Sequence, residues 1–335
     1  MNVLVTGACG YIGSHAVRCL LKSGHRPIGL DNLSRGHIES LPREVAFAQL
    51  DVRDTDALVN VLQQHAIDCV MHFAAFSYVG ESVDEPLIYY DNNTRGTLSV
   101  LRALDRAGVR RLVFSSTCAT YGEPETVPIG ELAAQRPINP YGWSKLFSER
   151  MLFDYATSNK PFAFAVLRYF NVAGSSADGA VGEDHNPETH LIPVILQTKL
   201  GLREKVTIFG DDYPTDDGTC IRDYIHVEDL VEAHVQVAAA LQPGARLVYN
   251  LGIGRGYSVK EIIAAARSVV GDFRVDRGPR RPGDPPILYA DASKIQRELG
   301  WVARRGDIRG MIETAWRWFE KHPRGYAGYR ESNGL

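Results

Sequence analysis

A strand, a glycine-rich turn and a helix follow one another at the very start of the chain. The apolar run at residues 2–6 predicts a buried strand, and residues 11–23 have the spacing of a helix. Between them Gly7, Gly10 and Gly13 are spaced G-x-x-G-x-x-G. Glycines in such a turn permit a tight bend, a close approach of helix to strand, and access to the backbone N–H groups at the helix start. This order is typical of parallel α/β sheets, whose first turn binds a phosphate group.

The alternation of strand and helix patterns continues through the first half of the chain. The strand patterns are apolar along their whole length, as strands buried on both faces are. Because strands separated by helices form βαβ units, we predict an α/β fold with a Rossmann-type, doubly wound parallel sheet. The further predicted strands are residues 27–31, 46–50, 69–73, 111–115 and 162–169. The further predicted helices are residues 55–65, 89–107 and 141–158.

The second half of the chain, after Asn171, is richer in loops that contain glycine, aspartate and proline. Shorter helix patterns lie at residues 191–200, 227–240 and 259–270. A length of 335 residues suits two domains at about 150 residues each. We predict a first domain at residues 1–170, built on the parallel sheet, and a smaller, loop-rich α/β domain at residues 171–335. Some segments of the second, such as residues 222–240, are expected to pack back on the first.

Charge and composition argue against several classes of protein. The 37 Lys and Arg residues against 40 Asp and Glu residues give a formal net charge of -3, which argues against a nucleic-acid-binding protein. No apolar run approaches the roughly 20 residues that a membrane span needs, and the N-terminus lacks a signal-peptide pattern. The five cysteines contain no Cys-x-x-Cys pair, which suits free thiols in the cytoplasm. The ten histidines show no close pair with metal-ligand spacing, so we predict no metal.

An acidic residue, Asp31, ends the second predicted strand. It lies about 20 residues beyond the glycine turn, where a carboxylate binds the 2′-hydroxyl of an adenosine ribose and selects NAD over NADP. A capping role at the strand-to-loop turn is the alternative for this residue. The nearby Arg35 keeps NADP open, because an arginine in this region accommodates a 2′-phosphate.

Tyr141 and Lys145 lie four residues apart, so on a helix they share one face. Pro140 suits the first turn of that helix. A tyrosine has an ordinary pKa of about 10, too high for a base at neutral pH. Lowering it toward 7 needs roughly 4 kcal/mol, which a nearby ammonium and a positively charged nicotinamide ring can supply together. A structural tyrosine beside a solvated lysine is the alternative, but the dinucleotide pattern upstream favours a catalytic pair.

The fifth predicted strand ends in a run of hydroxyl side chains, Ser115, Ser116 and Thr117. Ligands of open α/β sheets bind at the carboxyl ends of the strands, so we expect these hydroxyls to point toward the same crevice as Tyr141. One of them can hydrogen-bond a substrate hydroxyl and help to pass its proton to the tyrosine. Capping of the strand end is the alternative for some of them.

Together these motifs resemble the extended short-chain dehydrogenase/reductase superfamily, and further motifs make the sequence similar to the UDP-glucose 4-epimerases within it. The likeness runs from residue 2 to near the end of the chain. The motifs that carry it are VGES at 79–82, YDNN at 90–93, LRYFN at 167–171, DDGT at 216–219, RDYIH at 222–226 and RRPGD at 280–284.

The resemblance implies NAD held by the first domain and a UDP-sugar held by the second. It implies that Tyr141 takes the proton of the sugar 4-hydroxyl with the help of Thr117, while Lys145 orients the cofactor. NAD then takes the C4 hydride and returns it to the other face of the 4-keto sugar. It also implies a homodimer, formed through the helices at 89–107 and 141–158.

The resemblance assigns two further sets of residues by position. The implied cofactor-binding residues are Gly7, Gly10, Tyr11, Ile12, Gly13, Asp31, Asn32, Asp51, Val52, Phe73, Ala74, Ala75, Asn92, Ser115, Tyr141, Lys145 and Tyr169. The implied substrate-binding residues are Thr117, Tyr141, Asn171, His190, Leu191, Phe209, Arg222, Tyr224, Arg281 and Asp284.

Two departures and several rival activities stay open. Ser77 stands where relatives carry a lysine that contacts a cofactor phosphate, and Leu288 stands where residue size sets the tolerance of N-acetyl groups. A UDP-pentose or UDP-N-acetylhexosamine 4-epimerase therefore fits as well. A nucleotide-sugar 4,6-dehydratase needs an acid beside Thr117, where this chain has Cys118 and Ala119. A non-catalytic NAD-binding regulator predicts a broken Tyr–Lys pair, and here the pair is intact.

Overall fold

The computed structural model describes residues 1–281 and 284–327 and places a seven-stranded parallel sheet at the centre of the fold. The strand order is β3-β2-β1-β4-β5-β6-β10, with every pairing parallel. The strands are β1 Asn2–Thr6, β2 Arg26–Asp31, β3 Ala46–Gln49, β4 Cys69–His72, β5 Arg111–Thr117, β6 Ala163–Tyr169, β7 Asn171–Ala173, β8 Val206–Phe209, β9 Ile221–His226, β10 Arg246–Leu251, β11 Gly256–Ser258, β12 Val275–Gly278 and β13 Ile287–Leu288. The predicted α/β fold is confirmed, and the six strands predicted for the first half are all present.

Helices on both faces cover this sheet. The helices of the described residues are α1 Tyr11–Lys22, α2 Thr55–Gln64, α3 Val79–Asp84, α4 Pro86–Tyr89, α5 Gly96–Ala107, α6 Pro140–Ser158, α7 Leu191–Lys199, α8 Val227–Ala240, α9 Val259–Val270, α10 Ser293–Leu299 and α11 Ile308–Lys321. Of these, α7, α9 and α11 pack together in the second half of the chain. Among all the helices of the described residues none is long and apolar enough to cross a lipid bilayer.

The residues of β1 show why the sheet is covered on both sides. Val3 and Val5 pack into one apolar cluster, together with residues of α1 and α8, whereas Leu4 packs into another with residues of α2 and α5. All three side chains are fully buried. Since successive side chains of a strand point to opposite faces, a continuous apolar run fits a sheet with helices on both faces.

The second half of the chain contributes to both parts of the fold. Helix α8 packs against α1, and β10 pairs with β6 at the edge of the parallel sheet. The strand β10 was not predicted from the sequence. The other strands of this half form two small sheets, β11-β9-β13 with β7 beside β9, and β12-β8. The division into two domains at residue 171 stays a prediction. The segment at residues 222–240, which was expected to pack back on the first domain, includes α8.

The start of helix α6 is built by three neighbouring residues. The side chain of Asn139 caps the helix by accepting a hydrogen bond from the backbone N–H of Gly142 at 2.8 Å, and Pro140 occupies the first turn. A Cβ atom on Gly142 would lie 2.5 Å from the carbonyl oxygen of Ala119, so the glycine lets the helix start rest on the segment after β5. This contact brings Tyr141 to the end of that strand.

Helix α5 is preceded by a six-residue π-helical stretch, Tyr90–Arg95, instead of starting at residue 89 as predicted. The stretch carries Asn93, whose side chain bonds the backbone of Phe76 in both directions, at 2.8 and 2.9 Å, and the hydroxyl of Ser144 at 3.0 Å. Wider helical turns of this kind are frequent at functional sites. Here it ties the loop after β4 to helix α6.

Candidate active site

A cavity of about 430 Å³ lies at the carboxyl ends of the parallel strands. Its wall contains the ends of β1, β2, β4, β5 and β6 and the beginning of α6. Tyr141, Lys145 and Thr117 all line it. Ligands of open α/β sheets bind at this edge, next to the point where the strand order reverses between β1 and β4.

The glycine-rich turn forms one wall of the cavity. Gly7 has a φ of +69°, and a Cβ atom there would lie 2.7 Å from the backbone nitrogen of Ala74. A Cβ on Gly13 would lie 2.0 Å from the carbonyl oxygen of Gly7, which shows how closely helix and strand pack. A Cβ on Gly10 would approach nothing closer than 3.4 Å, and Tyr11 and Ile12 line the cavity beside it.

This wall suits the pyrophosphate of a dinucleotide. The first turn of α1 carries no acidic residue, and its cap, Gly10, leaves the backbone N–H groups of the turn without a side-chain acceptor. A helix N-terminus with unpaired N–H groups attracts a phosphate through its partial positive charge. The residues present therefore fit NAD at the position that the sequence predicted.

Asp31 lines the cavity at the end of β2. Its carboxylate accepts hydrogen bonds from the backbone N–H groups of Cys9, at 3.0 Å, and Leu33, at 2.8 Å. Burial raises the pKa of this carboxyl above its ordinary value, whereas the two backbone bonds lower it. The residue thus both organises the turn, as the alternative interpretation held, and faces the predicted ribose site.

Asn32 and Asp51 form a pair at the same end of the cavity. The amide of Asn32 donates to Asp51 at 3.0 Å, and Arg53 binds the same carboxylate at 2.7 and 2.9 Å. These partners hold the pKa of Asp51 well below its usual range. Asn32 and Val52 line the cavity, whereas Asp51 does not, so Asp51 supports this wall through its neighbours.

Arg35 also lines the cavity, and its guanidinium group is fixed on two sides. One of its nitrogens, Nη2, binds both carboxylate oxygens of Glu81 at 2.7 Å. The group lies over the ring of Phe76, 4.0 Å from the centroid, and 4.8 Å from that of Tyr78. The other nitrogen, Nη1, is buried without a hydrogen-bond partner among the described residues. Ser77 also lines the cavity, at the position where the resemblance led us to expect a lysine. Arg35 therefore supplies a positive charge in this part of the cavity wall.

Tyr141 and Thr117 form the centre of the cavity. Burial raises the pKa of Tyr141 well above its ordinary value of 10.0, and the nearby hydroxyl of Thr117 lowers it by a smaller amount. The protein alone therefore does not lower this pKa, and the lowering expected from the lysine together with the nicotinamide stays a prediction.

Lys145 is buried beneath the tyrosine, with only 4% of its surface exposed. Its ammonium donates to the carbonyl oxygen of Ser115 at 2.9 Å and lies 5.0 Å from the ring centroid of Phe114. Burial lowers the pKa of this ammonium from 10.5 to about 7, while the nearby Glu149 raises it. The lysine is thus poised to change its charge near neutral pH.

The three hydroxyls at the end of β5 do not share one direction. Ser115 and Thr117 line the cavity, and the hydroxyl of Ser115 is hydrogen-bonded to that of Tyr169. Ser116 points to the other face of the sheet, where it donates to the buried Glu149 at 2.5 Å. The expectation that all three point toward Tyr141 was wrong, because side chains alternate between the two faces of a strand.

The far end of the cavity carries an ion pair between Arg222 and Asp284, with Nη2 2.5 Å from Oδ1. Asn171, His190 and Leu288 line the cavity near it in the second half of the chain. Leu288 is 8% exposed and packs in an apolar cluster with Phe170. The arginine offers charge for a phosphate, and the aspartate offers an acceptor for a sugar hydroxyl.

Four other predicted substrate residues do not appear among the residues that line the cavity. Arg281 lies with its guanidinium 3.9 Å from the ring centroid of Phe209, and Tyr224 is buried on β9 opposite Asn171 of β7. Leu191 is the first residue of α7 and packs against the core of the second half. Pro282 and Gly283, which belong to the RRPGD motif, lie outside the described residues.

A cluster of two histidines and two glutamates, three of which line the cavity, was not predicted from the sequence. Glu183, His185, Glu188 and His190 each offer one ligating atom, and these atoms all lie within 4.8 Å of one another. The statement that no histidines form a pair with metal-ligand spacing was therefore wrong. The signal was the alternation of acid and histidine in the EDHNPETH stretch at 183–190, which the loop folds into one cluster.

A family and several relatives match the chain over most of its length. The NAD dependent epimerase/dehydratase family matches residues 3–252. The chain is 48% identical over 328 residues to the UDP-glucose 4-epimerase of Lacticaseibacillus casei, which covers 97% of this chain and 99% of that protein. It is 44% identical over 339 residues to UDP-arabinose 4-epimerase 1 of Arabidopsis thaliana, covering 97% of this chain and 81% of that protein.

Solved structures agree with these relatives. A UDP-glucose 4-epimerase crystal structure matches with a TM-score of 0.94 at 47% identity, covering 97% of this chain and 99% of that one. The enzyme from Stenotrophomonas maltophila, solved with bound NAD and formylated UDP-arabinopyranose, matches with a TM-score of 0.93 at 41% identity, covering 97% and 99%. The resemblance found in the sequence is confirmed, and the chain belongs to the NAD dependent epimerase/dehydratase family.

Proposed function

We propose that this protein is an NAD-dependent UDP-glucose 4-epimerase, an isomerase of nucleotide-sugar and galactose metabolism. It interconverts UDP-glucose and UDP-galactose through a transient 4-keto sugar. The observation that carries the proposal is the position of Tyr141, Thr117 and Lys145 in the same cavity as Arg222 and Asp284. The relatives named above support it by their own activities.

Each of these residues has a task that follows from its surroundings. Tyr141 takes the proton of the sugar 4-hydroxyl and later returns it, and the hydroxyl of Thr117 in the same cavity helps to pass that proton. When bound, NAD supplies a nicotinamide ring that accepts a hydride from C4 and gives it back. The residues of the glycine turn and Asp31 would hold the cofactor, with Asn92, Phe73, Ala74, Ala75 and Tyr169 along the same wall.

The substrate end of the cavity supports a nucleotide diphosphate. Arg222 is held by the carbonyl oxygen of Ile221 at 2.9 Å and by Asp284, so its guanidinium is oriented in advance. The chain has a net charge of -3, so local cations of this kind have to offset the two phosphate charges. Asn171 and His190 supply further polar groups on the same wall.

A second candidate is 4-epimerisation of a UDP-pentose. It is favoured by the likeness to UDP-arabinose 4-epimerase 1 from Arabidopsis thaliana. The two candidates differ only at C6 of the sugar, and the residues that hold the nucleotide and the proton serve both.

The experiment that decides is a comparison of product formation from UDP-galactose, UDP-N-acetylgalactosamine and UDP-arabinose without added reductant. We expect UDP-galactose to be converted at the highest kcat/KM. Turnover of UDP-arabinose in the absence of any turnover of UDP-galactose would establish the second candidate instead.

We also propose that the protein forms a homodimer through the helices around α6. Large apolar side chains are exposed there, among them Leu87 at 79%, Val83 at 60% and Phe147 at 43%. Contiguous exposed apolar surface on a soluble protein marks an interaction site. Light scattering on the purified protein should give twice the chain mass. Leu87→Glu with Phe147→Glu should give one chain mass, whereas the exposed but distant Leu202→Glu should leave the dimer intact.

The cytoplasm is the proposed location. The five cysteines Cys9, Cys19, Cys69, Cys118 and Cys220 are all free thiols, as in proteins of a reducing compartment. Fractionation of the source cells with an antibody against the protein tests this.

A further inference from the structure

We propose that Glu183, His185, Glu188 and His190 bind a divalent transition-metal ion of the zinc type. The four residues belong to one loop that leads from the β7 region into α7, and three of them, Glu183, His185 and His190, line the cavity. The site is separate from the groups that act on the sugar 4-hydroxyl. The inference does not depend on which sugar the enzyme converts.

The side chains already converge on one point. Nδ1 of His185 and Nδ1 of His190 lie 3.1 and 3.0 Å from the same oxygen, Oε1 of Glu183. Nδ1 of His190 also lies 2.9 Å from Oε1 of Glu188. Zinc binds nitrogen and oxygen at about 2.0–2.2 Å, so its tetrahedral ligand atoms lie roughly 3.4 Å apart. The four atoms span at most 4.8 Å, so only small side-chain rotations are needed.

One oxygen of this cluster lacks a partner. Glu188 is 5% exposed, and its Oε2 atom is buried without a hydrogen bond from any described residue. Nδ1 of His185 lies 3.6 Å from this oxygen and is itself buried without a hydrogen bond from the described residues. A buried polar atom without a partner is destabilising. A cation placed between Oε2 and this nitrogen would satisfy both atoms.

The ligand types select the class of metal. Two carboxylates supply two negative charges, and the ion would balance them in a site where both glutamates are 5% exposed. Imidazole nitrogens favour zinc, iron, cobalt and nickel over magnesium and calcium, which prefer all-oxygen sites. Four protein ligands fit the closed coordination shell of a structural zinc site.

The position of the cluster suggests what the ion does. The ring of His185 lies 6.4 Å from that of Tyr11, at the start of α1, and 5.8 Å from that of Tyr78, in the loop after β4. A metal in this loop would fix the substrate wall of the cavity against the cofactor wall. Its role is then to hold the loop and not to take part in the proton transfer at Tyr141.

The test is metal binding by the full-length, untagged protein after dialysis against a chelator. Equilibrium dialysis with Zn²⁺ should give one tightly bound ion per chain. Glu188→Gln and His185→Asn should each weaken binding by at least about 10-fold, since each removes one ligand. His65→Asn is the control, because this histidine lies at the end of α2, outside the cluster.

A second measurement does not depend on any variant. Co²⁺ added to the wild-type protein should produce the visible absorption bands of a four-coordinate site, and Zn²⁺ should abolish these bands. The proposal is overturned if wild-type protein binds no more Zn²⁺ than the two variants, in which case the cluster is a set of imidazolium–carboxylate ion pairs. Displacement of Zn²⁺ by equimolar Mg²⁺ would also overturn it. These measurements need no sugar substrate, so failure of the proposed activity leaves their reading unchanged.

Discussion

The ammonium of Lys145 donates a hydrogen bond to the carbonyl oxygen of Ser115, 2.9 Å away, on the strand that also carries Thr117. The lysine is therefore held at the end of β5, and the hydroxyl of Tyr141 is near that of Thr117 on the same strand. The cation and the tyrosine are thus fixed by neighbouring residues of a single strand. The position of the strand end decides the geometry of both groups.

The first prediction concerns the pH dependence of stability in the protein without NAD. Burial lowers the pKa of Lys145 from 10.5 to about 7, so the unfolded state binds a proton in this range that the folded state does not. Through this lysine, the free energy of unfolding is highest above pH 10.5. It decreases as the pH is lowered from 10.5 to about 7, by at most roughly 1.4 kcal/mol per pH unit. Below that value both states are protonated and the lysine's contribution is constant.

Urea titrations at several values between pH 6 and pH 9 measure this effect. Lys145→Met keeps the length of the side chain and removes the charge, so it should lose the slope above pH 7. A variant with the same slope as the wild type would show that another group causes it. Exposed Lys160→Met serves as the control and should keep the slope.

The second prediction concerns Tyr141. Replacing it by phenylalanine removes the hydroxyl that accepts the proton, while the half-buried ring keeps its contact with Tyr89, 6.4 Å between ring centroids. We expect kcat to fall by about 10²–10⁴, as for loss of a general base, with binding of NAD and UDP retained. Tyr155→Phe on the same helix is the matched control, because its hydroxyl binds Asp105 far from the cavity. Near-full activity of Tyr141→Phe at neutral pH would remove the tyrosine from the mechanism.

The third prediction concerns Arg35, which lines the cavity and whose buried Nη1 has no hydrogen-bond partner among the described residues. The guanidinium supplies the positive charge that a lysine at position 77 would carry. Arg35→Ala should therefore weaken NAD binding by roughly 10-fold, the effect of losing one charged hydrogen bond. Calorimetry or fluorescence on protein freed of NAD measures this. Exposed Arg43→Ala should bind as the wild type does. Unchanged affinity for NAD with a loss of affinity for NADP would instead make Arg35 a ligand of a 2′-phosphate.

The fourth prediction concerns the sugar. Leu288 lines the cavity and packs against the same cluster as Phe170, so Leu288→Ala should enlarge this end of the cavity. The kcat/KM for UDP-N-acetylgalactosamine should rise relative to that for UDP-galactose, at a stability cost of about 2–5 kcal/mol. Leu202→Ala, at a residue that is 53% exposed, is the control and should leave the ratio unchanged. An unchanged ratio in Leu288→Ala would place the N-acetyl group elsewhere.

Much of the site was predictable because its signals are local. Gly7 and Gly13 stand where spacing and backbone sterics require glycine, and Tyr141 and Lys145 share a helix face because of their spacing. Asp31 ends a strand whose apolar run predicts its position. Each of these inferences needs only the period of a helix or strand and the direction of the chain.

The direction of individual side chains was less predictable. Ser116 was placed with its neighbours although the alternation of β5 turns it toward Glu149, which a correct count along the strand would have shown. Phe209, Tyr224 and Arg281 were assigned from the family resemblance; in the structure Arg281 lies over the ring of Phe209, and Tyr224 is buried on β9 opposite Asn171. Their partners are distant in sequence or set by loop conformation, which no periodic pattern encodes.

The α/β fold, the positions of the first six strands along the chain and the local motifs of the cofactor end follow from the sequence alone. These depend on interactions between residues close in the chain, where steric and apolar periodicity act directly. That β10 joins the parallel sheet, that Arg35 pairs with Glu81 beside the cavity, and that a loop gathers Glu183, His185, Glu188 and His190 became visible only in three dimensions. Such contacts join residues through the packing of whole elements and loops, so they exist only once the core has formed.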